Sequence, residues 1–421
     1  MITPADRTSV LLFKEKAVKR LNKISIQAVF CSILIAGAAF GAGKRVGPGV
    51  PPFLVRPGLR VTLAAKGLQN ARFLQFDPAG RLFVSQPGRG NIILLSNPDH
   101  AGFFTRHTVF VSHMPAVQAM VYRDGWLWFA CAGKICKTRD NGKQLHAGKI
   151  LTVISGLPQG GWHWWRSLLL TQHHLYTSIG DMRNINADPP ALGREEIWQY
   201  NFDGTGKTLF CTGIRNTEKL LQRPGTHQIW GCDEGSDQFG HPLGETTGHQ
   251  KITDLNPPEE VNHYVKGGFY GHPYVVGNNI PRYEWLKKLG DKAIVKIAQH
   301  AIPPAWCLPA HWSAVSACFL TTNYFPGLKG DLVVCCHGSW DSQPLVGYRL
   351  EVVTFDHWTK NPSGQFPLLK TLRHGSDILA RPVNCVEAAD GSLYFSSDSN
   401  NCIYHVMYVG PKNISMVSTR Y

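Results

Sequence analysis

Charge is sparse in this chain: Asp, Glu, Lys and Arg make up only 17% of its 421 residues. That is too little for a solvated disordered segment or for the Ala/Glu/Lys/Leu mixture of a helical protein. No CxxC pair is present, which excludes a zinc site of the usual spacing, and no CxxCH, which excludes a covalently attached haem. A dense Dx[DN]xDG run is missing too, so no self-sufficient calcium loop is encoded. The formal net charge of +14 is not gathered into a Lys/Arg run. Part of it sits near the N-terminus, in Arg7, Lys14, Lys16, Lys19, Arg20 and Lys23, and the rest is scattered. A scattered excess is not the footprint of a nucleic-acid binder, and no nucleic-acid partner is expected. It suits an anionic small molecule or an acidic surface.

What is abundant points to short strands and turns. The chain has 42 Gly and 27 Pro, and 11% of it is aromatic. At this length it can bury a sizeable core. Residues 24–43, "ISIQAVFCSILIAGAAFGAG", follow the basic stretch and end in small residues, the pattern of a secretory signal. The long basic n-region keeps an uncleaved signal-anchor, a membrane tether through 24–43, as the alternative. Residues 1–43 are therefore read as signal peptide or anchor and 44–421 as a single exported domain, secreted or held outside a membrane. Asn413 of "NIS" is a possible glycan acceptor. Ten of the eleven cysteines lie beyond the leader, and in an exported chain an even number suggests disulfides. The close pairs Cys131/Cys136, Cys211/Cys232, Cys307/Cys318 and Cys385/Cys402 are the expected staples, while the adjacent Cys335 and Cys336 cannot easily bridge each other.

A turn–strand–turn–strand theme recurs, in "PAGRLFVSQPGRGNIILL", "YRDGWLWFACAGKICKT", "TQHHLYTSIGD", "GTHQIWGCDEG", "KGDLVVCCHGSW" and "ADGSLYFSSDSNNCIYHV". Aligned on Leu82, Leu127, Leu175, Ile229, Leu332 and Leu393, four of the five steps span 45 to 61 residues, close to one four-stranded blade. Runs such as "RLFVSQ" and "SLYFSS" read as half-buried strands of period two. Together these predict an all-β, six-bladed β-propeller. The long step from Ile229 to Leu332 predicts an inter-blade insertion with a short helix in "PRYEWLKKLGDKAIVKIAQH". A pair of β-sandwiches does not explain the repeated unit. Propellers gather polar loops at one mouth of a central channel, so function is expected from loops of several blades.

One loop, "GGWHWWRSLLL" (160–170), sets His163 and Arg166 among Trp162, Trp164 and Trp165. Taken in order with "LYTSIGD", "GIRNTEKL", "DEGSDQFG", "PPEEVNHYVKGGFYGHPY", "LPAHWSAVS", "HGSW" and "ARPVNCVEAADGSLYFSSD", it resembles the soluble quinoprotein sugar dehydrogenases. The branch is that of the pyrroloquinoline quinone (PQQ)-dependent pyranose and sorbosone dehydrogenases, and the likeness runs from about residue 50 to 408.

The resemblance implies oxidation of a pyranose at its anomeric carbon, with hydride passing to PQQ and a lactone as product. It implies that His163 is the general base, since a neutral imidazole suits removal of the hydroxyl proton. Arg166 would assist as a guanidinium fork on the cofactor. It assigns Arg215, Asn216 and Arg381 to the tricarboxylate cofactor, and places His337, Ser339 and Trp340 at the mouth. Arg89 and Gln118 fall where relatives supply further cofactor or substrate contacts. The tryptophans are candidates to stack on PQQ or sugar faces. Calcium is the implied second partner, held through the carbonyls of Gly235 and Ser236 and acting as a Lewis acid. Asp233, Glu234 and Asp237 stand by as nearby charge.

Two departures stand out: Val383 replaces an arginine of related glucose enzymes, and "DSQ" follows "HGSW" where relatives carry a basic residue. With no haem motif and only a short tail after the last unit, a separate electron acceptor such as a cytochrome or quinone is expected, and no carbohydrate-binding module. Two other readings remain open: a decayed propeller that binds sugar or a protein partner, and a calcium-dependent hydrolase, which would want more carboxylate and Asn ligands around the channel.

Overall fold

A computed structural model of the chain describes residues 51–185, 192–237, 254–340 and 342–410. The expected leader and Asn413 fall outside these residues. No described helix is long and apolar enough to cross a membrane.

Two strands near the start, β1 (Phe53–Val55) and β2 (Leu59–Ala65), are joined to sheets built much later in the chain. Between them and the C-terminal end run six antiparallel sheets. Blade one is β3 (Leu74–Phe76), β4 (Leu82–Gln86), β5 (Asn91–Pro98) and β6 (Phe104–Val111). Blade two is β7 (Met120–Arg123), β8 (Trp126–Cys131), β9 (Lys134–Arg139) and β10 (Ile150–Ile154). Blade three is β11 (Leu169–Leu170), β12 (Leu175–Ile179), β13 (Glu196–Tyr200) and β14 (Thr208–Thr212). Blade four starts with β15 (Leu220–Gln222), β16 (Ile229–Asp233) and β17 (Glu259–Tyr264).

The chain then departs through a hairpin, β18 (Val275–Val276) with β19 (Ile280–Pro281), and two helices, α1 (Tyr283–Leu289) and α2 (Asp291–His300). It returns as β20 (Trp306–Leu308), which pairs with β17 and completes blade four. The expected insertion is thus inside a blade, between its third and fourth strands, rather than between blades. The expected single helix is a pair, broken at Gly290. α2 buries Ile294 and Ala298, four residues apart on one face. Asp291 in its first turn and His300 in its last complement the helix dipole.

Blade five is β21 (Ala314–Phe319), β22 (Leu332–Cys336), β23 (Arg349–Phe355) and β24 (Pro362–Thr371), with β1 added at its outer edge. After a small hairpin, β25 (Arg373–His374) with β26 (Asp377–Ile378), blade six is β27 (Pro382–Glu387), β28 (Leu393–Ser397), β29 (Cys402–Tyr408) and β2. The protein is therefore a six-bladed β-propeller closed by an N-proximal strand.

The six repeat positions seen in the sequence all fall on the second strand of their blades, β4, β8, β12, β16, β22 and β28. Those strands are not half-buried, as the period-two reading expected. All five residues of β4, β12, β16, β22 and β28 are buried. The reason is packing: each blade is covered by a neighbour on both faces, so neither face meets water. The buried serines are satisfied locally. Ser85 Oγ accepts from the Phe73 N–H at 2.9 Å, and Ser397 Oγ accepts from the Arg381 N–H at 3.0 Å.

The disulfide expectation is also corrected. All ten described cysteines are free thiols. Cys211 and Cys232 lie on strands of different blades, as do Cys307 and Cys318, so neither pair sits on paired neighbouring strands. Cys385 and Cys402 face Phe395 and Ser397 across β28 rather than each other. Cys131 and Cys136 do approach across the β8–β9 hairpin, with their sulfurs 4.0 Å apart, a thiol contact rather than a bond.

Candidate active site

In a four-stranded antiparallel blade, the turn between strands two and three and the connection to the next blade emerge at the same end. Gln118, His163, Arg215 and Ser313 lie on blade-to-blade connections, and Gly235, His337, Trp340 and Asp398 on second-to-third turns. Chain topology alone therefore brings these loops to one mouth.

The loops enclose a cavity of about 380 Å³. Blade three supplies Trp162 and His163, and blade four Arg215, Glu234, Gly235, Asp237 and Glu259. His311 and Ser313, between blades four and five, complete the wall with Gly338, Ser339 and Trp340. His163 is only 9% exposed, and its Nδ1 has no hydrogen-bond partner. Burial, followed by the nearby Arg215 charge, depresses it to about 2, outweighing the favourable Asp181 contributions. The imidazole is therefore neutral throughout the ordinary range, the state a proton acceptor needs.

Close backbone approach makes this convergence possible. A Cβ on Gly180, just after β12, would sit 2.4 Å from the Arg215 carbonyl oxygen and 2.8 Å from His163 Cβ. On the next loop, Asp233 organises the "RNT" turn. Its carboxylate accepts from the backbone N–H of Arg215 at 2.8 Å and of Asn216 at 2.6 Å, and from Thr217 Oγ1 at 3.0 Å. Four of the five Arg215 N–H donors are committed: to the Asn184 carbonyl and side-chain oxygen at 3.0 and 2.8 Å, and to the Glu234 and Gly235 carbonyls at 3.1 and 2.9 Å. The guanidinium is fixed, with its remaining donor left for a ligand.

Three carboxyls line this cavity, Glu234, Asp237 and Glu259. Glu234 accepts from Asn216 Nδ2 at 2.7 Å and Ser313 Oγ at 2.9 Å. Burial, then the charges of Glu218 and Glu259, raise it to about 8. Burial raises Glu259 to about 7, although its carboxylate accepts backbone N–H bonds from Gly235 and Ala314.

A second group of residues forms a belt across the channel. Gln118 Nε2 and Arg72 Nη2 both donate to Glu218 Oε2 at 2.8 Å. Arg72 Nη1 reaches Asp398 at 3.3 Å, and Asp398 meets His337 Nε2 at 3.0 Å. Arg381 donates to the carbonyls of His337 at 3.2 Å and Gly338 at 2.7 Å. Burial works to raise Asp398, but the His337 bond and the Arg72 and Arg381 charges outweigh it and hold it at about 2.

The expected residues therefore divide. His163, Arg215, Gly235 and Trp340 line the cavity, whereas Gln118, His337 and Arg381 belong to the belt. Asn216 stands behind the cavity wall, buried, with Oδ1 unpartnered. Arg89 is exposed on the β4–β5 turn and donates to Gln69. Arg166 does not line the cavity; it is buried, donates to the Pro158 carbonyl and lies in the field of Cys131 and Arg194. Ser236 does not line this cavity; its hydroxyl, distinct from the carbonyl expected as a calcium ligand, accepts from Arg282 at 2.7 Å. Val383 is fully buried, and its carbonyl accepts from Ser316 Oγ at 2.8 Å, so that position faces the core. Trp164 and Trp165 pack on each other at 5.3 Å, outside the cavity lining.

The sequence reading passed over Arg72, Glu218, Glu259, His311 and Asp398. Only the ring closure shows that these distant residues meet. Asp181, Glu195 and His272 also form a buried trio whose ligand atoms lie within 4.8 Å of one another, the one such group among the described residues.

The chain matches known proteins over the propeller. An uncharacterised protein of Borreliella burgdorferi is 26% identical over 271 residues, covering 64% of this chain and 62% of that protein. A pyrroloquinoline quinone-dependent pyranose dehydrogenase of Coprinopsis cinerea is 23% identical over 409 residues, 83% of this chain and 54% of that protein. The chain thus spans little more than half the length of these relatives. Among solved structures, the calcium structure of a Trichoderma reesei family AA12 enzyme superposes with a TM-score of 0.73 at 20% identity, over 87% of this chain and 99% of that one. The holo PQQ domain of the Coprinopsis enzyme gives 0.69 at 19% identity, over 86% and 99%. The TrAA12-like family model matches residues 53–409. The chain belongs to the TrAA12-like family.

Proposed function

We propose that this protein is a PQQ-dependent sugar dehydrogenase that oxidises a pyranose at its anomeric carbon. The observation that carries the reading is His163: a buried, neutral imidazole lining a cavity that also presents Arg215. The cavity suits a flat polyanion. Its volume is that of a small-ligand site, and Arg215 keeps a donor. Glu234 and Glu259 hold protons readily at neutral pH, so they can offer O–H donors instead of charge to a carboxylate ligand.

When bound, PQQ supplies the two-electron acceptor that takes hydride from the sugar. His163 takes the anomeric hydroxyl proton onto its unprotonated ring nitrogen, relieving the positive charge that hydride departure builds on carbon. Arg215 orients the acidic ligand, and Asp233 holds Arg215 and Asn216 in place. Arg381 and His337 support the cavity from the belt. Calcium, the second implied group, would be held through the backbone carbonyls of Gly235, which also accepts from Arg215, and Ser236. Export through residues 24–43 and a separate electron acceptor belong to the same proposal. It is supported by family membership and by the activity of the Coprinopsis relative.

Reconstitution with PQQ and calcium, followed by dye-linked oxidation of an aldose panel, tests it. The expected result is PQQ-dependent turnover, lost in His163→Ala while PQQ binding persists. A wild-type protein with neither a PQQ spectral change nor activity on any sugar overturns the reading.

A further inference from the structure

Two of the most exposed large apolar side chains sit on the rim of the active-site cavity. Trp162 is 61% exposed and Trp340 is 68% exposed, and both line the cavity. They come from different blades, Trp162 from the connection entering blade three and Trp340 from the β22–β23 turn of blade five. The more exposed Trp358 lies on the β23–β24 turn, which emerges at the opposite end of the blade.

Loose loops do not explain the exposure of the rim pair. The Trp162 N–H is tied to the Met182 carbonyl at 2.9 Å. Gly161 before it has φ +78°, and a Cβ there would meet Met182 Sδ at 2.7 Å. On the other side, the Gly338 N–H donates to Trp312 and the Ser339 N–H to Val346, each at 2.9 Å, and Tyr348 hydroxyl donates to the Ser339 carbonyl. Two indoles are held out at the mouth by fixed backbone, where exposed aromatic area marks a binding surface.

Size decides what they hold. A cavity of about 380 Å³ is filled by a cofactor and one reacting ring. Most of the indole area lies outside that volume and is left for whatever continues from the reacting ring. An aromatic face takes a sugar through its C–H face. β-1,4-linked glucosyl units carry all hydroxyls equatorially and run as a flat ribbon, so each ring presents an unbroken C–H face. α-1,4-linked chains curl away from a flat platform.

Resting on the dehydrogenase reading above, we propose that Trp162 and Trp340 form an aromatic rim for the rings following the reducing end of a β-1,4-linked oligosaccharide. The reducing-end ring itself reaches His163. The protein would then oxidise chain ends in preference to free monosaccharides.

The test compares glucose, cellotriose and maltotriose with the reconstituted enzyme, together with cellotriose titration of the same protein by tryptophan fluorescence. The expected KM is about tenfold lower for cellotriose than for glucose at similar kcat, with maltotriose near glucose. In Trp162→Ala and Trp340→Ala the cellotriose-to-glucose KM ratio should approach one and the fluorescence titration should flatten, whereas Trp162→Phe should keep most of both. Equal KM for glucose and cellotriose in the wild type, or a ratio untouched in both alanine variants, overturns the rim. Absence of turnover on every sugar with cellotriose binding intact sinks the dehydrogenase reading and leaves the rim standing.

Discussion

His163 is poised by removal of solvent. Its ring sits beside a fixed guanidinium, so protonating it means placing a second positive charge in a dry wall. The expected outcome is an imidazole that stays neutral as pH falls from 8 to 4, and ring nitrogen and carbon shifts of His163 by NMR will show it. A titration midpoint near 6.5, the ordinary value, would contradict the burial argument. The same shift has a stability sign. Between about 2 and 6.5 the unfolded chain binds the proton that folded His163 refuses. Its contribution to stability is therefore whole above pH 6.5 and declines as pH falls below it. Glu234 and Glu259 act in reverse. Their folded values are raised to about 8 and 7, so their contribution is present below about pH 4.5 and is lost as pH rises through those values.

At the scale of strands and loops, the end of β12 is a tight junction of the site. Gly180 lets the His163 loop and the Arg215 turn meet there. Gly180→Ala places a methyl against a carbonyl oxygen and a side-chain carbon and forces the two loops apart. It is expected to cost about 1–3 kcal/mol in denaturant unfolding and to lower turnover more than tenfold with PQQ affinity also reduced. Wild-type kcat in that variant would mean the loops can separate without harm.

This junction also shows what the sequence conveys. The blade count was legible because each second strand repeats one short apolar signature. The place of His163 in the cavity wall was legible because it sits in an ordered family pattern. Arg166, three residues away, carried the same pattern but turns into the core toward Pro158, since a side chain's direction follows its packing and not its spacing. The belt partners were illegible for another reason. Arg72 and Glu218 are 146 residues apart, and only closure of the ring sets them 2.8 Å from each other.

Over the whole molecule, closure rests on an early strand completing the last blade. β2 pairs with β29 from Leu59↔Tyr408 to Ala65↔Ile403. Val61 is buried there opposite Val406. Val61→Asp is expected to destabilise the propeller by about 3 kcal/mol and to shift one cooperative unfolding transition, because a ring that loses one seam loses all its blade contacts. A separate early transition, with the remainder unfolding at the wild-type midpoint, would show that blade six opens alone.

The belt from Gln118 through Glu218, Arg72 and Asp398 to His337 has a kinetic meaning. If the protein is the dehydrogenase proposed above, sugar, oxidised product and electron acceptor would all reach the cavity through the mouth where these loops converge. On that proposal, product would clear the mouth before the acceptor came close, and the acceptor would leave before another sugar entered. Turnover would then alternate, as traffic does on a single-lane bridge. Parallel double-reciprocal lines and inhibition by excess of either visitor are its signature.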